Sequence, residues 1–299
     1  MIAYRAALTL CLAVVPTSGL AFAMVGGAQP ADPAIARHVV LLVGSRGNSC
    51  SGVAIARDLV LTAAHCVPPG ADYKLVSFDA AHQPQLNDIT TVTRHPQFDL
   101  AMLFAHRATA DVALLKLAAA LPPAFAAAPL ARPDRVVAVG DEFIVAGYGV
   151  AVRGDGRTGG TVRAATLVAT GQPGTLQVRL FDPATKGQRP GLGACTADSG
   201  APAFETDQPH AVIGVVSWTT GPQLSEGCGG LTGITPLARY RTWIVEAAAK
   251  MGSLLAPSPP SPSSGRVGRG VRALSREGRT PGQDKYGPDF GSGHGSRRR

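Results

Sequence analysis

The chain has 299 residues, with 28 lysine and arginine against 20 aspartate and glutamate residues, and its formal net charge is +8. Most of the excess lies at the C-terminal end, because residues 252–299 hold nine Lys/Arg and three Asp/Glu, and Arg5 adds one more positive charge. Residues 24–251 are therefore close to neutral, at about +1, and their charge predicts no nucleic-acid partner.

Residues 1–23 have the layout of a secretory signal. Arg5 supplies the positive end, a short apolar run follows, and Ala21 and Ala23 place small residues at a cleavage site after Ala23. The run is short for a membrane span, although an N-terminal anchor is the alternative. No later segment is long and apolar enough to cross a bilayer, so we expect an exported, soluble protein.

Short β-rich runs separated by Gly, Ser and Asp dominate the chain after the signal. They are residues 38–44, 58–64, 111–117, 142–147, 175–181 and 211–218. With almost no helical periodicity, this pattern predicts an all-β barrel or sandwich. Residues 121–134 are Pro- and Ala-rich and predict a connector between two β halves. One helix is expected at about 236–250, where apolar residues recur on one face.

The composition changes at residue 252. Residues 252–299 are rich in Pro, Ser, Gly and Arg and contain few large apolar side chains. Such a segment buries too little surface to offset the entropy of ordering, so we predict a disordered basic tail. A solvated tail is the favoured interpretation, and a tether to acidic surfaces is the alternative.

Four cysteines remain once the signal, which contains Cys11, is removed. They are Cys50, Cys66, Cys195 and Cys228, and an even number in an exported protein indicates disulfides. Zinc is disfavoured because no Cys-x-x-Cys pair or neighbouring ligand cluster is present. The Ala, Arg, Pro and Gly bias, with so few cysteines, indicates a bacterial protein exported to the periplasm or beyond.

Three residues form a candidate catalytic set. A serine hydroxyl such as that of Ser199 is a poor nucleophile unless an imidazole takes its proton, and the imidazole needs a carboxylate to orient it. His65 and Asp111 are the candidates for these roles. Each residue taken alone has a simpler explanation: a buried histidine, the start of a strand, and a turn in Asp-Ser-Gly.

The order His, Asp, Ser along the chain separates this set from α/β-hydrolases and subtilisins. The supporting motifs are MVGG at 24–27, TAAHC at 62–66, DVALLKL at 111–117, GYG at 147–149, DSGAP at 198–202, SW at 217–218 and YRTWI at 240–244. Together they resemble the chymotrypsin/trypsin family of serine peptidases over residues 24 to about 250.

The resemblance implies two antiparallel six-stranded β-barrels, at about 28–120 and 135–235, followed by the C-terminal helix. Ser199 would attack a peptide bond, His65 would act as base and then acid, and Asp111 would orient His65. No cofactor or metal is implied. The partners expected are a protein or peptide substrate and, as a second candidate, a protein inhibitor, for a protein acting as a monomer.

The resemblance also assigns supporting residues. It implies disulfides Cys50–Cys66 and Cys195–Cys228, and an oxyanion hole formed by the backbone N–H groups of Ala197 and Ser199. Ser217 would hydrogen-bond to Asp111, and Ser217–Thr219 would pair with substrate as an added strand. The extra length between His95 and Asp111 would enlarge a loop bordering the substrate cleft.

Two features concern activity directly. Ala197 stands where the family usually has glycine, so its methyl group restricts the oxyanion loop, and loss of one oxyanion donor costs roughly a hundred- to a thousandfold in rate. Cleavage after Ala23 would create an N-terminus at Met24, whose ammonium would pair with Asp198. Export itself would then produce the active form, whereas cleavage a few residues away would leave it inactive.

The resemblance places five residues around a specificity pocket: Gly193, Ser217, Trp218, Thr219 and Thr232. No charge is available at Gly193, at the base, so we predict against cleavage after Arg or Lys. The side chains of Thr219 and Thr232 would make the pocket shallow and favour small or medium apolar residues. The alternatives are a non-catalytic binding protein on the same fold and an esterase that uses the same triad.

Overall fold

The computed structural model describes residues 24–79, 81, 83–105, 107–170, 176–207 and 210–259. The predicted signal and most of the predicted tail lie outside these residues. The strands are β1 (Gln29–Pro30), β2 (Val39–Gly44), β3 (Ser49–Ala56), β4 (Leu59–Thr62), β5 (Tyr73–Phe78), β6 (Pro84–Arg94), β7 (Ala113–Leu117), β8 (Glu142–Gly147), β9 (Arg163–Ala169), β10 (Val178–Phe181), β11 (Pro202–Glu205), β12 (Val212–Thr219) and β13 (Leu231–Pro236). The α-helices are α1 (Pro33–Ala36), α2 (Leu100–Phe104) and α3 (Arg241–Lys250).

The first barrel closes in the order β2-β3-β4-β7-β6-β5, with every pairing antiparallel. Strands β3 and β4 are rich in Val, Ile, Leu and Ala and are buried along nearly their whole length. Such strands suit a closed barrel, where one face lines the interior and the other packs on a neighbouring layer. The barrel interior contains Val40, Leu75 and Leu115.

The second barrel closes in the order β8-β9-β10-β13-β12-β11, and the short β1 adds to the edge of β9. Phe143, Leu167, Leu180 and Ile234 are fully buried in its interior. The predicted connector at 121–134 lies between the two barrels and contains no strand. The two six-stranded barrels and the C-terminal helix confirm the predicted fold class.

A third apolar cluster lies where the barrels meet. It joins Ile55 and Leu59 of the first barrel to Phe204 and Val212 of the second, and Ile244 of α3 packs into the same cluster. Burial of large aliphatic and aromatic side chains of this kind contributes about 1.5–3 kcal/mol each. The relative position of the barrels is therefore set by a continuous core, and the candidate site lies across this junction.

Two sequence predictions place boundaries too early. The helix begins at Arg241 rather than near residue 236, because Pro236 ends β13 and the N–H of Leu237 bonds to Ile213 O at 2.8 Å. The start of the disordered tail at residue 252 is also wrong. Residues 253–258 run along the domain, where the Ala256 N–H donates to Ile55 O at 3.0 Å and Arg241 donates to Ser258 Oγ at 2.6 Å.

None of the helices in the described part of the chain is long and apolar enough to cross a membrane.

Candidate active site

His65 and Asp111 are brought together by a pair of neighbouring strands. Strand β4 ends at Thr62, and His65 follows in a single 3₁₀ turn, Ala64–Cys66. Asp111 comes just before β7. Since Thr62 is paired with Ala113 in the β4–β7 ladder, the turn that carries His65 and the residue before β7 lie side by side.

The Asp111 carboxylate is fully buried and accepts three hydrogen bonds. Oδ1 accepts from the His65 backbone N–H at 2.9 Å, while Oδ2 accepts from His65 Nδ1 at 2.7 Å and from Ser217 Oγ at 2.6 Å. Because an ionised carboxylate only accepts, the proton of the imidazole is held on Nδ1. Nε2, the other ring nitrogen, is then the basic one. This arrangement orients the ring and stabilises its protonated form.

Ser199 is held against the first barrel by close backbone contact. The Ser51 N–H in β3 donates to Ser199 O at 2.9 Å. The next residue, Gly200, has a φ of 79°, and a Cβ there would overlap Thr62 Oγ1 and Ser51 O. Only glycine suits this conformation and approach. Ser199 is therefore fixed next to the end of β4, from which His65 follows.

The Ser199 hydroxyl makes no hydrogen bond within the part of the chain that the structure describes. Catalytic hydrogen bonds are often long in a ligand-free site and shorten when substrate binds. The side chain is therefore free to turn toward His65 or toward a bound substrate.

The loop before Ser199 presents two backbone N–H groups. Thr196 O accepts from the Val150 N–H at 2.9 Å, and in a trans peptide the N–H of Ala197 points the opposite way. Ala197 has a φ of 71°, the left-handed region that favours glycine. Among the described residues, neither the Ala197 nor the Ser199 N–H has an acceptor. Two unpaired donors so close together are suited to binding an oxyanion.

Asp198 is a fully buried carboxylate behind this loop. Oδ1 accepts from the Gly149 N–H and Oδ2 from the Cys195 N–H, each at 2.9 Å. Burial raises the pKa of Asp198 from 3.8 to about 7, despite these two hydrogen bonds. A Cβ at Gly147 or Gly149 would overlap the carboxylate, which explains both glycines of the GYG motif. No cation pairs with Asp198 among the described residues.

Met24 lies in the same region of the second barrel. Its side chain is fully buried, and the following Val25 N–H donates to Gly193 O at 3.1 Å. A Cβ at Gly26 would overlap Gly191 O, so the segment is held close to the loop that precedes Cys195. In the uncut chain the Met24 nitrogen is an amide, and the structure shows no bond from it to Asp198.

Three of the five predicted pocket residues, Gly193, Thr219 and Thr232, meet around Ala194. Thr219 Oγ1 donates to Ala194 O at 2.9 Å, and Thr232 Oγ1 accepts from the Ala194 N–H at 3.0 Å. Gly193 lies beside Thr232, which pairs with Thr219 across the β12–β13 ladder. Ser217 lies in the same strand as Thr219 but bonds to Asp111. The Thr219 side chain thus bridges the space between β12 and the loop that leads to Ser199.

Trp218, the fifth predicted pocket residue, packs over the backbone of β13. A Cβ at Gly233 would overlap its ring. The ring therefore rests on a glycine in the neighbouring strand, and it remains partly exposed.

Two disulfides flank the site. Cys50–Cys66 joins β3 to the turn that carries His65, with the two Cα atoms 6.1 Å apart. Cys195–Cys228 joins the loop of Ser199 to the segment before β13, with the Cα atoms 5.1 Å apart. No cluster of His, Cys, Asp or Glu suited to a metal ion occurs within the described ranges.

Three residues of the site went unrecognised in the sequence. They are Ser51 and Val150, which hydrogen-bond to the Ser199 loop, and Thr62, which lies against Gly200 and bonds to Ser51 O. Thr62 lies in the TAAHC motif, so its position gave a signal. Ser51 and Val150 contact partners far away in the chain, and only the folded backbone reveals them.

The extra length before Asp111 forms a short helix, α2. Its N-cap is Asp99, whose carboxylate accepts from the N–H groups of Ala101 and Met102. Phe104 at its end is three-quarters exposed.

The double barrel, with a buried carboxylate holding a histidine near a half-buried serine, defines a protein of the two-barrel hydrolase class. The Trypsin family model matches residues 24–244, and the chain belongs to this family. Among curated proteins it is 26% identical to the snake venom serine protease rhinocerase 4 of Bitis rhinoceros, over 70% of this chain and 81% of the venom protein. It is 29% identical to the vitellin-degrading protease of Bombyx mori, over 67% of this chain and 76% of that protein.

Solved structures show the same fold at lower identity. Human heparin binding protein aligns with a TM-score of 0.61 and 24% identity, covering 79% of this chain and 100% of its own. Neuropsin from mouse brain aligns with a TM-score of 0.58 and 20% identity, covering 75% and 99%. The curated relatives and the family assignment support a serine endopeptidase that acts on protein substrates.

Proposed function

We propose that the protein hydrolyses peptide bonds with Ser199 as nucleophile, His65 as general base and acid, and Asp111 as the group that orients His65. The observation that carries this proposal is the double hold of Asp111 on His65, at the backbone N–H and at Nδ1. A purely structural role for the histidine would not require a basic Nε2 near an unpaired serine hydroxyl, whereas general-base catalysis does.

The steps follow from these positions. Ser199 Oγ attacks the carbonyl carbon as its proton passes to His65 Nε2, and the oxyanion accepts from the Ala197 and Ser199 N–H groups. His65 then gives the proton to the leaving amine, which leaves an acyl-enzyme. Water then attacks the acyl carbon as its proton passes to His65 Nε2. His65 returns this proton to Ser199 Oγ, which releases the acid and free Ser199.

A small or medium apolar residue is the proposed preference on the acyl side of the cleaved bond. Thr219 spans from β12 to Ala194, which leaves little depth, and Gly193 provides no carboxylate for Arg or Lys. A side chain deeper than one or two carbons must displace Thr219 from its two carbonyl partners. Buried polar groups left unpaired in this way cost about 1–3 kcal/mol.

Activation by signal cleavage is part of the same proposal. A chain cut after Ala23 gains an ammonium at Met24, next to the segment that bonds Gly193, and Asp198 is the buried carboxylate for it to pair with. Pairing would favour the ionised form of Asp198 and stabilise the loop from Cys195 to Ser199. Export is supported by the signal layout of residues 1–23 and by the two disulfides.

A non-catalytic binding protein on this fold is the second candidate. The closed Thr219 bridge favours it because it narrows the space beside the nucleophile. The alanine at residue 197 favours it as well, because the left-handed conformation that presents its N–H is costly for a residue with a side chain. An esterase with the same triad is the third.

The test is turnover of matched peptide and ester substrates with alanine at the acyl position, by a chain that begins at Met24. Hydrolysis of both, abolished in Ser199→Ala, supports the peptidase. Hydrolysis of the ester alone supports the esterase, and hydrolysis of neither supports the binding protein.

A further inference from the structure

Ser51 connects the first barrel to both oxyanion donors. It is fully buried in β3, and its hydroxyl donates to Ala197 O at 2.9 Å and accepts from the Tyr148 N–H at 2.9 Å. Its backbone N–H donates to Ser199 O at 2.9 Å. One residue thus bonds to the carbonyls of both residues whose N–H groups face the oxyanion position.

The direction of the hydroxyl proton is determined by these partners. Because Ser51 Oγ accepts from the Tyr148 N–H, its own proton is available only for an acceptor, and Ala197 O is that acceptor. The peptide that carries Ala197 O lies between the two oxyanion donors. Its orientation therefore decides whether Ala197 and Ser199 present their N–H groups on the same side.

Ala197 needs such support because its conformation is costly. The left-handed region costs an alanine roughly 1–2 kcal/mol relative to its ordinary conformations. A change to one of those would turn Ala197 O away and break its bond to the buried Ser51 hydroxyl. The bond therefore opposes the relaxation that the methyl group favours.

We propose that Ser51 is a positioning residue that holds Ala197 in the left-handed conformation, so that its N–H faces the developing oxyanion. The proposal rests on the proposed peptidase function. It also assigns the Ser51 hydroxyl a role tied to the alanine at residue 197: if glycine stood there, the conformation would have no steric cost and the hydroxyl would contribute less.

The experiment is a double-mutant cycle of Ser51→Ala and Ala197→Gly in the chain that begins at Met24. With Ala197 present, Ser51→Ala is expected to lower kcat by about ten- to a hundredfold with little change in KM, as partial loss of one oxyanion donor does. In the Ala197→Gly background the same change should lower kcat less than about threefold. Ser77→Ala is the matched control, since Ser77 is a buried strand serine of the same barrel, bonded to Asn87.

The outcomes separate this inference from the function on which it rests. If the parent chain neither hydrolyses substrate nor reacts with a fluorophosphonate, the proposed function itself is contradicted. An active parent in which Ser51→Ala keeps full kcat, or loses the same factor in both backgrounds, overturns the positioning role. If Ser51→Ala does not fold, Ser51→Gly replaces it, and failure of both to fold in either background would make Ser51 a purely structural residue and overturn the inference.

Discussion

Ser217 Oγ donates a 2.6 Å hydrogen bond to Asp111 Oδ2, and this bond crosses from the second barrel to the first. Ser217 lies in β12, two residues before Thr219, so the strand expected to bind substrate also holds the carboxylate that orients His65. The position of His65 is therefore coupled to the packing of the two barrels against each other.

Replacement of Ser217 by alanine is expected to lower kcat about tenfold, with a smaller change in KM. The loss follows because a hydrogen bond to a charged group contributes about 1.5–3 kcal/mol, part of which water recovers. Steady-state kinetics on a peptide with alanine at the acyl position provide the measurement. Ser45→Ala, which removes an exposed hydroxyl bonded to Asp72, is the control and should leave kcat unchanged. Equal activity of the two variants would count against the role of Ser217.

Asp111→Asn is expected to lower kcat by about 10⁴ while the chain stays folded. The amide nitrogen of asparagine donates to His65 Nδ1, so the imidazole proton moves to Nε2 and the base is lost. The pH profile of kcat/KM and the unfolding temperature should be measured together. Activity that survives within about tenfold at neutral pH would mean that Asp111 does not set the tautomer of His65.

The uncut chain should lose stability as the pH rises from about 4 to about 7. Burial raises the pKa of Asp198 to about 7, whereas the unfolded chain releases this proton near its ordinary pKa of 3.8. Between these values the folded state binds more protons, so the free energy of unfolding decreases with rising pH and is level above pH 7. The measurement is urea unfolding at several pH values, which gives the slope of the unfolding free energy against pH. A chain that begins at Ala21 serves as the uncut form, because the bond between Ala23 and Met24 is intact.

Asp198→Asn should remove this dependence from the uncut chain. In a chain that begins at Met24, pairing with the ammonium should reverse the shift of Asp198. Stability should then persist below the ordinary amine pKa, about 7.7–8.0, and decline as the pH rises through the raised pKa of the paired amine. Identical pH profiles of the cut and uncut chains would contradict the Met24–Asp198 pair.

Thr219→Gly should widen the substrate range. With the bridge to Ala194 removed, phenylalanine at the acyl position should gain at least about tenfold in kcat/KM relative to alanine, as expected for a few buried methylenes. Thr219→Ser is the matched variant, because it retains the hydroxyl that bonds Ala194 O and should keep the preference for alanine. A substrate profile that is the same in all three chains would mean that Thr219 does not limit the pocket.

Residues 253–258 should stabilise the domain. A chain that ends at Gly252 lacks the bonds of Ala256 to Ile55 and of Ser258 to Arg241, as well as the Ser253–Lys116 bond. Its Tm should be several degrees lower than that of a chain that ends at Pro259, since each kcal/mol shifts Tm by about 2–4 °C in a domain of this size. Equal Tm values would show that this segment is not bound in solution.

The sequence predicted several strands from their apolar runs but missed others, among them β3, which is buried along nearly its whole length. The runs at 38–44 and 142–147 match β2 and β8 almost residue for residue. Strand β6 was missed because most of its side chains are polar and exposed, so it has no apolar run. Residues 253–258 were assigned to the disordered tail because a segment rich in Pro and Ser cannot form a core of its own. These residues are ordered for another reason: their backbone and hydroxyl groups bond to a surface formed by other parts of the chain.

The residues of the site likewise fall into those that the sequence predicted and those that it did not. Local sequence motifs contain His65, Asp111 and Ser199, so these three residues could be predicted from the sequence. Ser51 is different: its hydroxyl bonds Ala197, 146 residues away, and nothing local indicates that contact. The bridge of Thr219 to Ala194 likewise needs the register of β12 against β13 before the depth of the pocket can be inferred.

We propose above that Ser199 is an activated nucleophile in a chain matured by cleavage after Ala23. The most direct measurement is the intact mass of the secreted protein before and after reaction with a fluorophosphonate, with Ser199→Ala as the control. We expect a single phosphonyl adduct on a chain that begins at Met24, formed with loss of fluoride and absent from the control. A chain that begins at Met24 and forms no adduct would contradict it and favour the binding protein.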